Sequence, residues 1–207
     1  RAHLEAIDIV INQALRTAGL GMADIDAFAA TAGPGLIGGV AVGTVAAKAL
    51  AAARQRPYYA VNHLEGHALS ARLTDSINFP YLLLLVSGGH TQLLAVAGIG
   101  RYHRYGTTMD DAAGEAFDKC AKIMGLGYPG GPAIEKATRQ GDAGAILLPR
   151  PLKGANHCHF SFSGLKTALA NKLKQLGGVE QAPLHDLAAS LQAAIADCLA
   201  DRSRRAM

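Results

Sequence analysis

Residues 27–53 constrain the fold more than any other stretch. Ala27 to Ala32 is short, apolar and suited to a strand, and Gly33-Pro34-Gly35 follows as a turn. From Leu36 to Ala53 comes a run built mainly of Gly, Ala, Val and Thr with the single charge of Lys48. A strand delivered through a glycine turn into a long helix is the repeating unit of α/β folds. The run is the length of a membrane span, but its small residues and Lys48 favour a buried helix of a soluble domain. Gly39, Gly43 and Ala47 recur every four residues on one face, which lets another backbone pack closely.

The flanking segments extend the pattern. Leu4, Ile7, Ile11 and Leu15 give residues 1–19 a helical stripe, closed by Gly19 and Gly21. Pro57 to Val61 reads as a second short strand, and Asn62 behind it is a natural helix cap. Asp75 to Pro80 is polar and turn-like, so we place a domain boundary near 78, with domains at 1–78 and 79–207. Tyr81–Val86, Thr91–Ala97 and Arg101–Thr107 then read as strands of an antiparallel meander. Helices follow over 111–125, 132–140, 163–176 and 184–205.

With 207 residues, half of them hydrophobic and 17% charged, the chain can bury a core, which excludes a disordered class. A net charge of +4 permits an anionic partner without the dense basic stripes of a dedicated nucleic-acid binder. Three widely spaced cysteines and no secretory signal point to a reducing, cytoplasmic setting.

Chemistry concentrates in a few segments. His63 and His67, four residues apart, share one helix face at a strand's carboxyl end, which suits either two ligands to one metal ion or a polar helix surface. Ser87-Gly88-Gly89-His90-Thr91 can gather amide N–H groups and two hydroxyls around an anionic oxygen, although a simple hairpin turn needs the same glycines. The acids from Asp110 to Glu115 fall at a helix start, where the dipole accounts for them, while Asp118, two turns in, could accept the hydroxyls of a ribose. In Tyr128–Pro132 the glycines leave backbone bare for a ligand, and Pro132 suits the first helical position. His157-Cys158-His159 alternates its side chains, so the three do not converge on a metal. Phe160–Thr167 starts the next helix with a serine cap and places Lys166 in its first turns.

In this order, Thr31–Gly35, His63–His67, Leu85–Gln92, Asp110–Lys119, Tyr128–Pro132 and Phe160–Thr167 resemble the tRNA N6-adenosine threonylcarbamoyltransferase family, the TsaD-like proteins formerly labelled glycoproteases. The resemblance covers essentially the whole chain. It implies an α/β, actin/Hsp70-like ATPase fold of the ASKHA superfamily, with two RNase-H-like lobes and a cleft site, incomplete here. A phosphate loop would precede Arg1, and an adenine loop and an aspartate metal ligand would follow Met207. It further implies a divalent metal, iron or zinc, on His63 and His67. Leu85, Val86, Ser87, Gly88 and Gly89 would contact the adenylate, with Asp118 and Gly131 at its ribose.

The reaction so implied is an acyl transfer, from threonylcarbamoyl-AMP to N6 of the adenosine 3′ of the anticodon. Its implied partners are tRNA, a paralogous TsaB-like subunit and a small ATPase subunit, with no membrane. No residue is assigned as the general base. Two other readings compete: a truncated lobe that binds nucleotide or a partner without chemistry, and a metalloprotease. Against the protease, Leu64 rather than a glutamate follows the first histidine, and Glu65 points elsewhere around the helix.

Overall fold

The computed structural model describes residues 2–207, which divide into two compact units, the first ending at Ser76 and the second running from Ile77 to Met207. The first opens with helix α1 (Ala2–Ala18). Gly19 ends it in the left-handed region, φ +67°, where Leu20 N–H reaches back to Leu15 O and Gly19 N–H to Arg16 O. Strand β1 (Phe28–Gly33) leads into helix α2 (Ile37–Arg54), which returns the chain to strand β2 (Tyr58–Asn62). The two strands pair in parallel, Phe28 with Tyr58 through Thr31 with Val61. A parallel pair requires such a crossover, and α2 supplies it.

Two expectations for α2 are corrected. It is not a buried helix: Ala51 is its one buried residue, while Ile37 stays 87% exposed and Val45 65%. A two-stranded sheet is too narrow to cover an 18-residue helix. Nor does another backbone press on the Gly39-Gly43-Ala47 stripe. It is the His3 side chain that stands over Gly39, and Gly43 and Ala47 line an apolar hollow of about 330 Å³ with Ile7, Ile11 and Phe28.

Asn62 ends β2 and caps helix α3 (His63–Thr74) as expected, its Oδ1 accepting from Leu64 N–H at 2.8 Å and Glu65 N–H at 3.3 Å. No loop intervenes between strand and helix, so the cap residue fixes where the following histidines point.

The second unit starts with the expected meander, strands β3 (Tyr81–Val86), β4 (Thr91–Gly98) and β5 (Arg101–Thr107), antiparallel in that order. Helices α4 (Ala113–Ile123), α5 (Gly130–Thr138), α6 (Ser163–Gln175) and α7 (Leu184–Ala206) follow. The core joins Leu93 of the sheet to Ala116 and Cys120 of α4 and Met124 just past its end, Leu165 and Leu169 of α6, and Leu187, Leu191 and Ile195 of α7. Phe160 and Phe162, stacked at 6.1 Å, complete it ahead of α6. All three cysteines are free. Burial pushes the Cys120 thiol up to about 12 and that of Cys198 up to about 11, so both stay protonated packing residues at neutral pH.

Candidate functional site

His63 and His67 occupy the first and fifth positions of α3, and the i, i+4 spacing brings their Nε2 atoms to 3.2 Å with the rings edge to face. Two nitrogens bound tetrahedrally at zinc–nitrogen distances of about 2.0–2.1 Å lie roughly 3.3–3.4 Å apart, so this spacing is that of two ligands on one ion. The same spacing serves a neutral pair sharing one N–H. Both side chains are exposed, and the chemistry of two imidazoles suits iron or zinc. Among the described residues, no third His, Cys, Asp or Glu gathers with them. A hollow at the carboxyl ends of β1 and β2, lined by Ala32, Gly33, Ala60, Val61 and Asn62, borders the residue that starts this helix.

In the second unit the β3–β4 turn closes through Ser87. Its N–H donates to His90 O at 2.8 Å, and its Oγ accepts from His90 N–H at 3.0 Å. Gly114 of α4 packs so tightly beneath the turn that a Cβ there would meet Ser87 O at 2.7 Å and Gly88 Cα at 2.8 Å. The expected convergence of two hydroxyls is corrected. Thr91 is fully buried and its Oγ1 caps α4 by accepting from Ala113 N–H at 2.9 Å, because Ala112 at the cap position has no side chain to do so. Leu85 is 6% exposed, so its side chain belongs to packing and only its backbone can meet a ligand. Val86 is 43% exposed, and Gly88 and Gly89 lie open at the surface.

Asp118, on α4, spends Oδ1 on Gly130 N–H at 2.7 Å, the first residue of α5. Its carboxylate therefore both holds this helix start and borders a hollow of about 380 Å³ lined by Lys119, Lys122, Gly127 and Tyr128. Gly130 is demanded by packing, since a Cβ would come within 2.5 Å of Asp118 Cα, whereas Gly131 meets nothing within 4 Å. Pro132 is the third residue of α5, not its first. A proline is tolerated there because the first four N–H groups of a helix have no intrahelical partner.

The acids before α4 also differ from expectation. Asp110 and Asp111 precede the helix rather than lying in its first turn. Asp111 pairs with Lys119 Nζ at 2.6 Å. Asp110 caps a different helix: it accepts from Phe162 N–H at 2.8 Å, Ser163 N–H at 3.2 Å, Ser161 Oγ at 2.5 Å and Ser163 Oγ at 2.8 Å. The serine cap expected for α6 is corrected: Phe162 holds the cap position, and Ser163, the first helical residue, donates to that carboxylate. Desolvation raises the Asp110 pKa, and the four hydrogen bonds together outweigh it, leaving the carboxyl below its ordinary 3.8.

The segment before α6 is fixed by groups that spacing did not reveal. Arg202 of α7 is 2% exposed and donates to Ala155 O at 2.8 Å and to His157 O, while its neighbour Asp201 accepts from it and from Gly154 N–H. His159 Nδ1 accepts from Thr107 N–H at 3.3 Å, and Gly106 lies so close to Cys158 that a Cβ would strike its carbonyl. His157 and His159 stand 5.3 Å apart, with Cys158 packed against the core.

The model of the family described as "tRNA N6-adenosine threonylcarbamoyltransferase" matches residues 1–207. The chain belongs to that family. The tRNA N6-adenosine threonylcarbamoyltransferases of Brucella suis and Brucella canis are each 60% identical over all 207 residues. The chain spans 58% of the length of these curated relatives. Among solved structures, YeaZ from Pseudomonas aeruginosa is 20% identical with a TM-score of 0.39, covering 86% of this chain and 82% of its own. As a member of the threonylcarbamoyltransferase family, the chain has the mixed α/β, actin/Hsp70-like class of fold.

Proposed function

We propose that the chain is part of a transferase that moves the threonylcarbamoyl group from threonylcarbamoyl-AMP to N6 of the adenosine 3′ of the anticodon. The observation that carries this is the 3.2 Å convergence of the His63 and His67 nitrogens in a chain that the family model matches from end to end. In the reaction a bond forms from N6 to the carbamoyl carbon, the bond from that carbon to the phosphate oxygen breaks, AMP leaves as an anion, and N6 gives its proton to water. His63 and His67 would hold the metal, which when bound polarises the carbamoyl carbonyl.

The other residues have roles that follow from their surroundings. Gly88, Gly89 and Gly131 sit at ordinary φ with no neighbour that a side chain would strike, so the fold itself does not require glycine at these positions. A ligand approaching the bare backbone does. Val86, Ser87, Gly88 and Gly89, with the backbone of Leu85, would face the adenylate. Asp118 would use the oxygen not committed to Gly130 on the ribose, with Gly131 beside it. The reading places the protein in the cytoplasm with tRNA, a paralogous TsaB-like subunit and a small ATPase subunit.

The test uses the full-length protein. It should restore N6-threonylcarbamoyladenosine, measured by mass spectrometry of tRNA nucleosides, in a strain lacking the activity. Bound metal, measured by elemental analysis, should fall at least about tenfold in His63→Ala and His67→Ala, since even loss of a ligand's supporting partner costs 10–100-fold. Absence of the nucleoside, or unchanged metal content in both variants, refutes the corresponding half of the proposal.

A further inference from the structure

We propose that the exposed half of β5, Arg101 to Tyr105, is a contact surface for RNA. The inference rests on the reading of tRNA as the substrate, and it names where on the second unit an RNA strand would lie.

Charge gives the first argument. Residues Ile77–Met207 carry 14 Lys and Arg against 10 Asp and Glu, while the first unit has 6 of each, so the chain's net +4 belongs entirely to the second unit. Between Asp75 and Asp110 there is no acidic residue at all, which leaves the whole three-stranded sheet free of carboxylates. At the end of that sheet, Arg101, His103 and Arg104 are exposed, and neither arginine has a carboxylate partner among the described residues. Arg101 also donates to Ala97 O at 3.2 Å within its own hairpin, which steadies a guanidinium that keeps further N–H donors.

Shape gives the second. Strand alternation sends residues 101 and 103 to one face and 102 and 104 to the other, so each face of this edge carries an arginine, and Tyr105, the extra residue of a bulge opposite Leu93 and Leu94, keeps its ring beside His103. His103 and Tyr105 sit with ring centroids 5.1 Å apart at 76°, and Tyr105 is 45% exposed. Guanidinium groups pair with phosphates and stack on bases, and exposed aromatic rings stack on unpaired bases. Interleaved arginine and aromatic side chains on a strand therefore fit a partner with both a phosphate backbone and flat bases. The same charges keep another β-strand from pairing with the edge.

The experiment measures binding of a tRNA carrying adenosine 3′ of the anticodon to the full-length protein across a salt series. Wild type should bind with a salt-dependent affinity. Arg101→Ala/Arg104→Ala should lower the slope of log K against log salt by about 1.4–1.8 and weaken binding about 10- to 30-fold near 0.15 M salt. Arg101→Lys/Arg104→Lys should restore the slope, and Tyr105→Ala should weaken binding at least about fivefold with the slope unchanged. Wild-type affinity and slope in the double alanine variant overturn this surface while leaving the tRNA substrate intact. Competition by polyglutamate as strong as by RNA overturns it in favour of an acidic protein partner. Failure of the wild type to bind tRNA overturns the functional reading and this inference together.

Discussion

Asp110 lies among acids that a helix dipole accounts for, yet its carboxylate serves a helix other than the one it precedes. As part of an acid-rich stretch it suggests a helix start, and it does serve one, but the helix it caps begins 53 residues later at Ser163. Because its folded-state pKa lies below the ordinary 3.8, the unfolded chain binds the proton first as pH falls. The stability it contributes is therefore complete above about pH 4 and is lost as pH drops through the folded value. Asp110→Asn keeps the shape and removes the charge. For a cap on an exposed carboxylate we expect a cost of about 1–2 kcal/mol at neutral pH. Melting temperatures of wild type and variant should differ at pH 6 and converge towards pH 3. A gap that stays constant with pH would show that the charge is not what caps α6.

At the scale of elements, the strands, helices and the Asn62 cap follow from local pattern, because each depends on residues within a turn or a strand of one another. The same locality put His63 and His67 on one face. What local pattern does not reveal is how elements are tied together. Thr91 caps α4 across 22 residues, Asp118 holds α5 across 12, and Arg202 reaches 45 residues back to His157. No spacing rule covers such distances, and only the composition hints at them, as with an arginine inside the apolar face of α7. That arginine carries a second prediction. In Arg202→Met the buried volume is kept but Ala155 O and His157 O lose their donor, so we expect a loss of about 2–4 kcal/mol in chemical denaturation. Stability equal to wild type would mean that the 153–157 segment finds other partners.

At the scale of the whole molecule, core and charge are both divided unequally. Among the described residues, Ala51 and Ala68 are the only buried hydrophobic ones in the first unit. There α1 buries no residue, and parallel strands, which ordinarily need both faces covered, leave Tyr59 59% exposed. In the second unit Leu187, Ala188, Leu191, Ala194 and Ile195 of α7 are each at most 1% exposed. Amide protection tracks such burial, because segments with few apolar contacts open locally at small free energy while core helices open only with global unfolding. Hydrogen exchange on this 207-residue chain should therefore show the slowest amides at the centre of α7, and amides of α1 and α2 exchanging at least about 100-fold faster, a gap of about 2.7 kcal/mol. Equal protection of α1, α2 and α7 would show that the first unit's stability does not depend on buried apolar area. The division also bears on function: His63 and His67 stand on the sparsely packed unit, where the short strand β2 and its Asn62 cap set their direction, whereas the glycine turn at 87–89 rests on the well-packed one.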